Sequence, residues 1–227
     1  MKTGILLPAY NEEKNIQIVI RDVKRYLPDS KIVVVDDGST DKTNALAKKT
    51  GVIVIKHETN KGKGEALNTG FDYFFKRHPE IDVVIVADAD RQYSIDEIVK
   101  ILEPLKKGEA DFVMGYRNWR KVPYGNAMGN FIWRTIFNFF FKTKLKDTNC
   151  GYIGLTRKTI KTIGKVYGGY IIENAMLRDA VKNGMRIKQV PVTVKYKKGN
   201  ISHFSRMFFG ILYFIVVEGI NYRLGKI

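Results

Sequence analysis

Residues 1–116 alternate between short apolar runs and longer segments of helical periodicity. The apolar runs are Thr3–Pro8, Lys31–Val35, Val52–Lys56, Asp82–Ala87 and Asp111–Gly115. The periodic segments are Glu12–Tyr26, Asp41–Lys49, Gly64–Arg77 and Ser94–Lys107. In the last of these, Ser94 and Glu97 have capping-box spacing. Such alternation is typical of crossover units, in which helices cover both faces of a mostly parallel sheet. The sequence therefore predicts an α/β fold of three layers, with a Rossmann-like sheet between two layers of helices.

The net charge of +16 comes entirely from the second half of the chain. Residues 1–116 contain 18 Lys or Arg and 19 Asp or Glu, whereas residues 117–227 contain 21 and 4. Basic charge beside abundant phenylalanine suits an anionic membrane surface or a lipid phosphate. Clustered Lys and Arg are also typical of a nucleic-acid-binding module, which stays an alternative at this point. Neither a repeat nor a low-complexity linker divides the chain, so we expect a single domain over residues 1–227.

Two segments of the basic half are unusually apolar. Gly125–Lys142 is predicted to be a helix with one narrow polar stripe, formed by Asn126, Asn130, Arg134, Asn138 and Lys142. Met207–Val217 contains no charge, but at about 1.5 Å per residue it is too short to span roughly 30 Å of hydrocarbon. We therefore expect amphipathic helices rather than a membrane-spanning one. For both segments contact with a membrane surface is favoured over burial in the protein core, and an oligomer contact is a further alternative for Met207–Val217.

The cysteine content and the N-terminal residues bear on the compartment. The single cysteine, Cys150, excludes an intramolecular disulfide and fits a reducing compartment. The first residues have neither a long apolar region nor a small-residue cleavage site, so no secretion signal is expected. We expect a protein of the cytoplasm or of the cytoplasmic face of a membrane, attached peripherally.

Two carboxylates follow the apolar run that ends at Ala87. Asp88 and Asp90, separated by Ala89, come where the run stops. Open α/β sheets place their ligands at the carboxyl ends of the strands, so these acids are expected at a binding site. Two neighbouring carboxylates repel each other unless a cation joins them. Mg²⁺ and Mn²⁺ prefer oxygen ligands and are commonly bound by one or two carboxylates together with substrate phosphates. Surface caps of the next helix are the alternative for both acids.

Two further strand ends carry polar motifs. Pro8, Ala9, Tyr10 and Glu12 close the first predicted strand; Tyr10 offers a flat face to a nucleobase, and Glu12 can accept hydrogen bonds from base or ribose. Val35, Asp36 and Asp37 end the second predicted strand, before a Gly turn. One of these two acids is a candidate acceptor for the imino N–H of uracil or guanine, while the other organises the loop.

The loop Asn60–Gly64 opens a predicted helix. Its backbone N–H groups and the ammonium group of Lys63 are candidates to face a phosphate. The loop lacks the spacing of a P-loop, so it is not one.

Together these motifs resemble the family 2 glycosyltransferases, over about residues 1–117. The resemblance implies the A-type nucleotide-diphospho-sugar fold and a nucleotide-sugar-binding half at residues 1–117. It implies metal–diphosphate binding by Asp88 and Asp90, with Mg²⁺ or Mn²⁺ as cofactor, and a place for Arg117 near the reacting phosphates. The candidate nucleotide-sugar site comprises Pro8, Ala9, Tyr10, Glu12, Val35, Asp36, Asp37, Lys63, Asp88, Ala89, Asp90 and Gln92.

The second half resembles a subgroup, the dolichyl- or polyprenyl-phosphate sugar transferases. The matching pieces are Gly125-Asn126, Asp147–Tyr152, Glu173, Val190–Val192 and Lys197–His203. Lysines stand here where the subgroup often has an arginine, and His203 stands in place of a lysine. Residues 118–227 are accordingly expected to be the acceptor- and membrane-facing half. The candidate acceptor-phosphate residues are Arg117, Arg134, Lys197, Lys198 and His203.

The resemblance implies transfer of a sugar from GDP-mannose or a UDP-hexose to a dolichyl or polyprenyl phosphate, with inversion by direct displacement. A lipid phosphate is already a nucleophile at neutral pH, so no strong general base is required. The candidate catalytic residues are Asp88, Asp90, Arg117 and Asp147. A soluble enzyme acting on a sugar or protein hydroxyl is the alternative; it requires a base, with Asp147 preferred over Glu173 and Asp90. A nucleic-acid-binding module leaves Asp88 and Asp90 unexplained, so we expect no nucleic acid partner. The oligomeric state stays open.

Overall fold

The computed structural model describes residues 1–119, 122, 124–195 and 204–226. Within them, seven strands form one sheet in the order β3-β2-β1-β4-β6-β5-β7. The strands are β1 (Lys2–Ala9), β2 (Lys31–Asp36), β3 (Ile53–Lys56), β4 (Ile81–Val86), β5 (Phe112–Arg117), β6 (Ile153–Thr156) and β7 (Ile187–Val192). Only β6 runs antiparallel to its neighbours in this described sheet. The prediction of a mostly parallel α/β fold is confirmed.

The helices of the described residues flank this sheet and cover its apolar strands. They are α1 (Ile16–Tyr26), α2 (Thr43–Lys48), α3 (Lys63–Arg77), α4 (Ile98–Lys106), α5 (Tyr124–Phe141), α6 (Arg157–Ile163), α7 (Ile172–Lys182) and α8 (Phe204–Arg223). Four consecutive residues of β4, from Val83 to Val86, are at most 2% exposed. Continuous burial of this kind is what a parallel strand with helices on both faces requires.

Two predicted helix starts are wrong. The first helix begins at Ile16 rather than at Glu12, whose carbonyl instead accepts hydrogen bonds from the N–H groups of Asn15 and Ile16. The capping box at Ser94 does not form, because the Ser94 hydroxyl bonds to Asp96 and the Glu97 carboxylate accepts the backbone N–H of Thr193. A short 3₁₀ turn, Ile95–Glu97, precedes α4 instead.

Helices α5 and α8 pack side by side and run in the same direction. The ring centroids of Trp133, in the middle of α5, and Phe208, near the start of α8, are 5.5 Å apart, and near the ends of the two helices those of Phe141 and Tyr222 are 5.2 Å apart. Gly219 allows close approach, since a Cβ there would lie 2.4 Å from the Phe140 ring. Their outward-facing apolar residues, which we call the α5/α8 apolar face, are Met128, Phe131, Phe139, Phe209, Tyr213 and Ile220. None of the helices in the described ranges has the length and apolar character needed to cross a bilayer.

Candidate active site

The polar motifs of the sequence meet at one edge of the sheet. The strands β1, β2 and β4 are parallel, and β5 has the same direction because β6 is antiparallel to both β4 and β5. Asp36 ends β2, Asp88 is the second residue after β4, and Arg117 ends β5. The carboxyl ends of these strands therefore bring residues far apart in sequence to a common edge, as predicted.

A lysine is held between two carboxylates at this edge. The Lys63 Nζ atom lies 2.8 Å from Asp88 Oδ1 and 3.2 Å from Glu173 Oε1. Lys63 is the first residue of α3, and Glu173 lies in the first turn of α7. Burial by itself lowers the pKa of Lys63, but the charges of Asp88 and Glu173 outweigh it and raise the pKa above its usual value. Lys63 therefore stays an ammonium ion, paired with carboxylates rather than directed at open solvent.

The absence of a side chain at Gly151 makes room for the cluster of Lys63, Asp88 and Glu173. A Cβ atom at Gly151 would lie 2.8 Å from both Asp88 Oδ2 and Lys63 Nζ. Any larger residue would displace one of the two charged groups. The backbone N–H of Gly151 donates to the Tyr93 hydroxyl, 2.9 Å away. Burial, then the nearby Cys150 and Asp88, raise the pKa of Tyr93 well above its usual value, so the hydroxyl stays neutral. The sequence motifs did not indicate Tyr93, because an aromatic residue shortly after two acids is not by itself typical of a binding site.

The loop that carries Asp90 is tied to the chain that follows β7. Asp90 Oδ1 accepts the backbone N–H of Gln92 at 2.9 Å, and Arg91 between them has φ of +62°, a left-handed conformation that suits a tight turn. The carbonyl of Gln92 accepts the N–H of Lys195 at 2.8 Å, and Tyr93 pairs with Val194. The segments that the sequence analysis expects to bind donor and acceptor therefore touch at this edge. Lys197, Lys198 and His203 lie outside the described residues.

The donor set of Asp88 and Asp90 suits a hard divalent cation. Among the described residues no group of three or more His, Cys, Asp or Glu side chains is arranged to hold a metal. A bound ion would need further oxygen ligands, as Mg²⁺ commonly takes from substrate phosphates and water. Asp88 Oδ1 is paired with Lys63 in this structure, so a metal would bind Asp88 through Oδ2 or share Oδ1 with the ammonium group.

Asp36 and Asp37, the two acidic candidates for nucleobase binding, are both buried. Asp37 accepts backbone N–H groups of Lys61 and Gly62 at 2.9 and 2.7 Å, and its Oδ1 lies 2.7 Å from His57 Nδ1. Asp37 therefore fastens the 60–62 loop to the end of β2. Asp36 accepts the N–H of Ser39 through Oδ1, whereas its buried Oδ2 has no hydrogen-bond partner among the described residues.

Other members of the predicted nucleotide site differ in their exposure. Tyr10 is 46% exposed and Glu12 is half-buried, so both are available to a ligand. Val35 is fully buried, and Pro8 lies beside it in register in β1. These two residues, like the buried Ala9, therefore belong to the sheet that carries Tyr10 and are not open to a ligand as Tyr10 is.

Arg117 and Asp147 form a buried ion pair. Arg117 donates from Nε, Nη2 and its backbone N–H to the Asp147 carboxylate, at 2.7, 2.9 and 3.2 Å. The Asn130 side chain and the backbone N–H of Asn149 donate to Oδ1 as well, at 2.9 and 3.0 Å. Burial alone would lower the pKa of Arg117, but Asp147 outweighs it and raises the pKa. Asp147 is 0% exposed, an arrangement that suits holding Arg117 in place and not accepting a proton from a substrate.

Arg134, the remaining described candidate for the acceptor phosphate, has a structural contact. Its Nη1 donates to the carbonyl of Lys146 at 3.2 Å, and its guanidinium lies 5.3 Å from the centre of the Phe131 ring. The polar stripe of α5 thus contacts the segment before Asp147. The sequence pattern found the stripe but not what it binds.

Comparisons with known proteins agree with this geometry. The profile described as Glycosyl transferase family 2 matches residues 4–164. A polyprenol monophosphomannose synthase of Mycolicibacterium smegmatis is 29% identical over 99% of this chain and 89% of its own length. A UDP-N-acetylglucosamine–dolichyl-phosphate N-acetylglucosaminyltransferase of Methanococcus voltae is 26% identical over 98% of this chain and 96% of its own length.

A solved structure supports the fold independently. Glucosyl-3-phosphoglycerate synthase of Mycobacterium tuberculosis, crystallised with Mn²⁺, UDP and its product, superposes with a TM-score of 0.78. The match covers 96% of this chain and 79% of that one at 21% identity, so it bears on the fold alone. The profile, which covers most of the chain, and the strand-end motifs agree: this chain is a glycosyltransferase that belongs to glycosyl transferase family 2.

Proposed function

We propose that the protein transfers a sugar from a nucleotide-diphospho-sugar to a dolichyl or polyprenyl phosphate at a membrane surface. Relatives that align over nearly the whole chain carry names for this type of reaction. Those two names differ in donor, one for mannose and one for N-acetylglucosamine, so the donor of this enzyme is left to experiment. The excess of positive charge in residues 117–227 suits an anionic acceptor.

The observation that carries this proposal is the burial and hydrogen bonding of the Asp147 carboxylate. Its carboxylate accepts five hydrogen bonds and is fully buried, so it is poorly placed to act as a base. Glu173, another candidate base, is paired with Lys63. An acceptor hydroxyl requires a base, whereas a phosphate oxygen attacks without one. The pairing of these two carboxylates leaves only Asp90, the proposed metal ligand, among the three candidate bases, and this favours a phosphate acceptor.

In the proposed reaction, an oxygen of the lipid phosphate attacks the anomeric carbon, and the bond from that carbon to the nucleoside diphosphate breaks. The half-exposed Tyr10 ring and Glu12 would bind base and ribose. A metal ion bound at Asp88 and Asp90 would supply charge neutralisation for the departing diphosphate. Arg117, oriented by Asp147, would direct positive charge toward the two phosphate groups, which otherwise repel each other.

Lys63 has two carboxylate partners in this structure and a candidate third partner in the reaction cycle. In this structure its ammonium group neutralises Asp88 and Glu173. A diphosphate entering beside Asp88 would offer a third anion, and we propose that Lys63 then shares its hydrogen bonds with it. Lys63 thus limits the repulsion that a doubly acidic edge would exert on an anionic donor before the donor binds.

Membrane attachment would come from the α5/α8 apolar face. Phe131, Phe139, Phe209 and Tyr213 are 55–72% exposed, and large aromatic side chains in this state form an apolar surface. Such a surface on two parallel helices suits insertion at the headgroup level of a bilayer. A polyprenyl phosphate, whose phosphate stays at that level, would then be within reach of the protein.

The test is a transfer assay in detergent. Purified protein is incubated with GDP- and UDP-sugars carrying a radiolabel, with polyprenyl phosphate, and with Mn²⁺ or EDTA. The proposal predicts label in the organic phase for at least one donor, dependent on the metal and on the phosphate of the acceptor. Transfer to soluble sugars or peptides with none to polyprenyl phosphate would contradict it and favour a hydroxyl acceptor.

A further inference from the structure

The segment Lys142–Lys146, which we call the lysine strap, follows α5 and has a fixed backbone. The Asn138 side chain accepts the N–H of Leu145 and donates to the Leu145 carbonyl, both at 2.9 Å. Trp119 Nε1 donates to the carbonyl of Lys146 at 3.1 Å, and Arg134 donates to the same oxygen. The chain therefore uses side chains from several elements to hold a short segment that carries no predicted catalytic residue.

The side chains that this backbone presents to solvent are lysines. Lys142, Lys144 and Lys146 are all exposed, while Thr143 and Leu145 between them are half-buried. None of the three lysines has an ion pair within the described part of the chain, although Lys146 lies 4.6 Å from the centre of the Tyr116 ring. A cation at Lys142 suits the carboxyl end of α5, but Lys144 and Lys146 lie beyond the reach of that dipole. Three like charges on a rigid support repel one another unless an anion joins them.

The strap borders a groove of about 630 Å³ at the carboxyl ends of α5 and α8. Its walls include Phe141, Tyr222, Gln189 and the aliphatic start of β7. Lys188 also lines it but is paired with Glu109, at 2.5 Å. The groove lies along β7, which is one of the two edge strands of the described sheet. It is distinct from the cluster around Asp88, because its lining reaches toward the start of β7, whereas the candidate active site lies at the strand's carboxyl end.

We propose that the lysine strap binds the phosphate headgroups of anionic bilayer lipids. The α5/α8 apolar face adjoins it, because both helices end at the groove and the Arg223 guanidinium donates to the carbonyl of Phe140 beside the strap. An apolar face inserted at the headgroup level brings phosphates to the height of the adjoining lysines, and juxtamembrane lysines favour acidic lipids. The proposal rests on the membrane attachment inferred above but does not depend on the identity of the sugar acceptor.

Vesicle flotation tests the proposal on the full chain. The probes are phosphatidylcholine vesicles with and without phosphatidylglycerol, and the variant is K142Q/K144Q. A matched control, K48Q/K49Q, removes the same charge from exposed lysines at the end of α2, beside β3 at the opposite edge of the sheet. We expect the strap variant to bind acidic vesicles roughly 30-fold more weakly than wild type, since each lysine near an acidic surface contributes about a factor of five. The control should bind as wild type does.

Several outcomes would overturn the proposal while leaving the transfer reaction untouched. Equal binding of the two variants to acidic vesicles would show that the lysines of the strap contribute no more to lipid binding than lysines elsewhere on the surface. Loss of RNA binding in the strap variant, with vesicle binding unchanged, would assign the strap to nucleic acid. Transfer to polyprenyl phosphate in detergent, measured on the same preparations, reports the proposed function separately; normal transfer and melting temperature in the strap variant also show that it is folded.

Discussion

Replacing Asp147 with Asn tests whether Asp147 positions Arg117 or acts as a general base. The Asp147 carboxylate is fully buried and accepts five hydrogen bonds, three of them from Arg117. The substitution keeps the shape but places an NH₂ group against donors and leaves a buried guanidinium without its counter-ion. Removing one partner of a buried pair costs about 3–5 kcal/mol. For a chain of this length, about 2–4 °C per kcal/mol converts this into a fall in Tm of about 6–20 °C.

The chain contains a matched control for this substitution. Arg186 donates to Asp111 through the same three groups, Nε, Nη2 and backbone N–H, at 2.9, 2.9 and 3.0 Å. The Arg186 side chain is 59% exposed, against 15% for Arg117. An exposed pair contributes about 1 kcal/mol or less, so D111N should lower Tm by no more than about 4 °C. Burial is thus the main difference between the two pairs.

Thermal denaturation and the transfer assay together decide between the two roles. The positioning account expects D147N to lose stability and transfer together, because Arg117 is released. Loss of transfer with Tm at the wild-type value would show that the ion pair has no structural weight and would point instead to a general base. That second pattern would refute the reasoning from the ion pair.

Four further outcomes are expected. D88N should reduce transfer by orders of magnitude in the radiolabel assay while circular dichroism stays unchanged; near-normal turnover would defeat the metal role. G151A should weaken nucleotide binding measured by calorimetry, because its Cβ would come within 2.8 Å of the Asp88 carboxylate; unchanged affinity would argue against the cluster. Arg186 lowers the pKa of Asp111 from 3.8 to about 2. Urea titrations should therefore show that wild type is more stable than D111N above about pH 4 and loses this advantage as the pH falls toward 2. A stability difference that does not depend on pH would contradict this. Replacing Phe131 and Tyr213 together with Ser should reduce flotation on vesicles of either composition, and retained binding would exclude the α5/α8 apolar face as the docking surface.

The sequence predicted the first half of the fold well, for a physical reason. The strands β1, β2, β4 and β5 are mostly buried, so they appear as apolar runs, and the half-buried edge strand β3 is apolar as well. The helices between them have clear periodicity. The second half gave fewer signals. β6 is only four residues long, and β7 is an edge strand in which Lys188 and Pro191 interrupt the apolar pattern. Short and half-exposed strands take their place from pairing with neighbours, which periodicity does not record.

Residue types at the site were easier to predict than their contacts. The spacing of the motifs identified Lys63, Asp88 and Asp147 as candidates, but the partners of Lys63 lie 25 and 110 residues away along the chain. Burial decides whether a carboxylate acts as a general base or as a counter-ion. The sequence around Asp147 does not reveal that this side chain is buried. Glu97 shows the same limit, because Thr193 from a distant segment took the carboxylate that a local capping box would use.

The central claim is that Asp88 and Asp90 hold a divalent cation against the diphosphate of the donor. Anomalous diffraction at the manganese edge, from crystals soaked with Mn²⁺ and a nucleoside diphosphate, tests it most directly. The account predicts one anomalous peak within coordination distance of a carboxylate oxygen of Asp88 or Asp90 and of a diphosphate oxygen. A nucleotide bound at this edge of the sheet with no such peak, or with the metal at other residues, would contradict it.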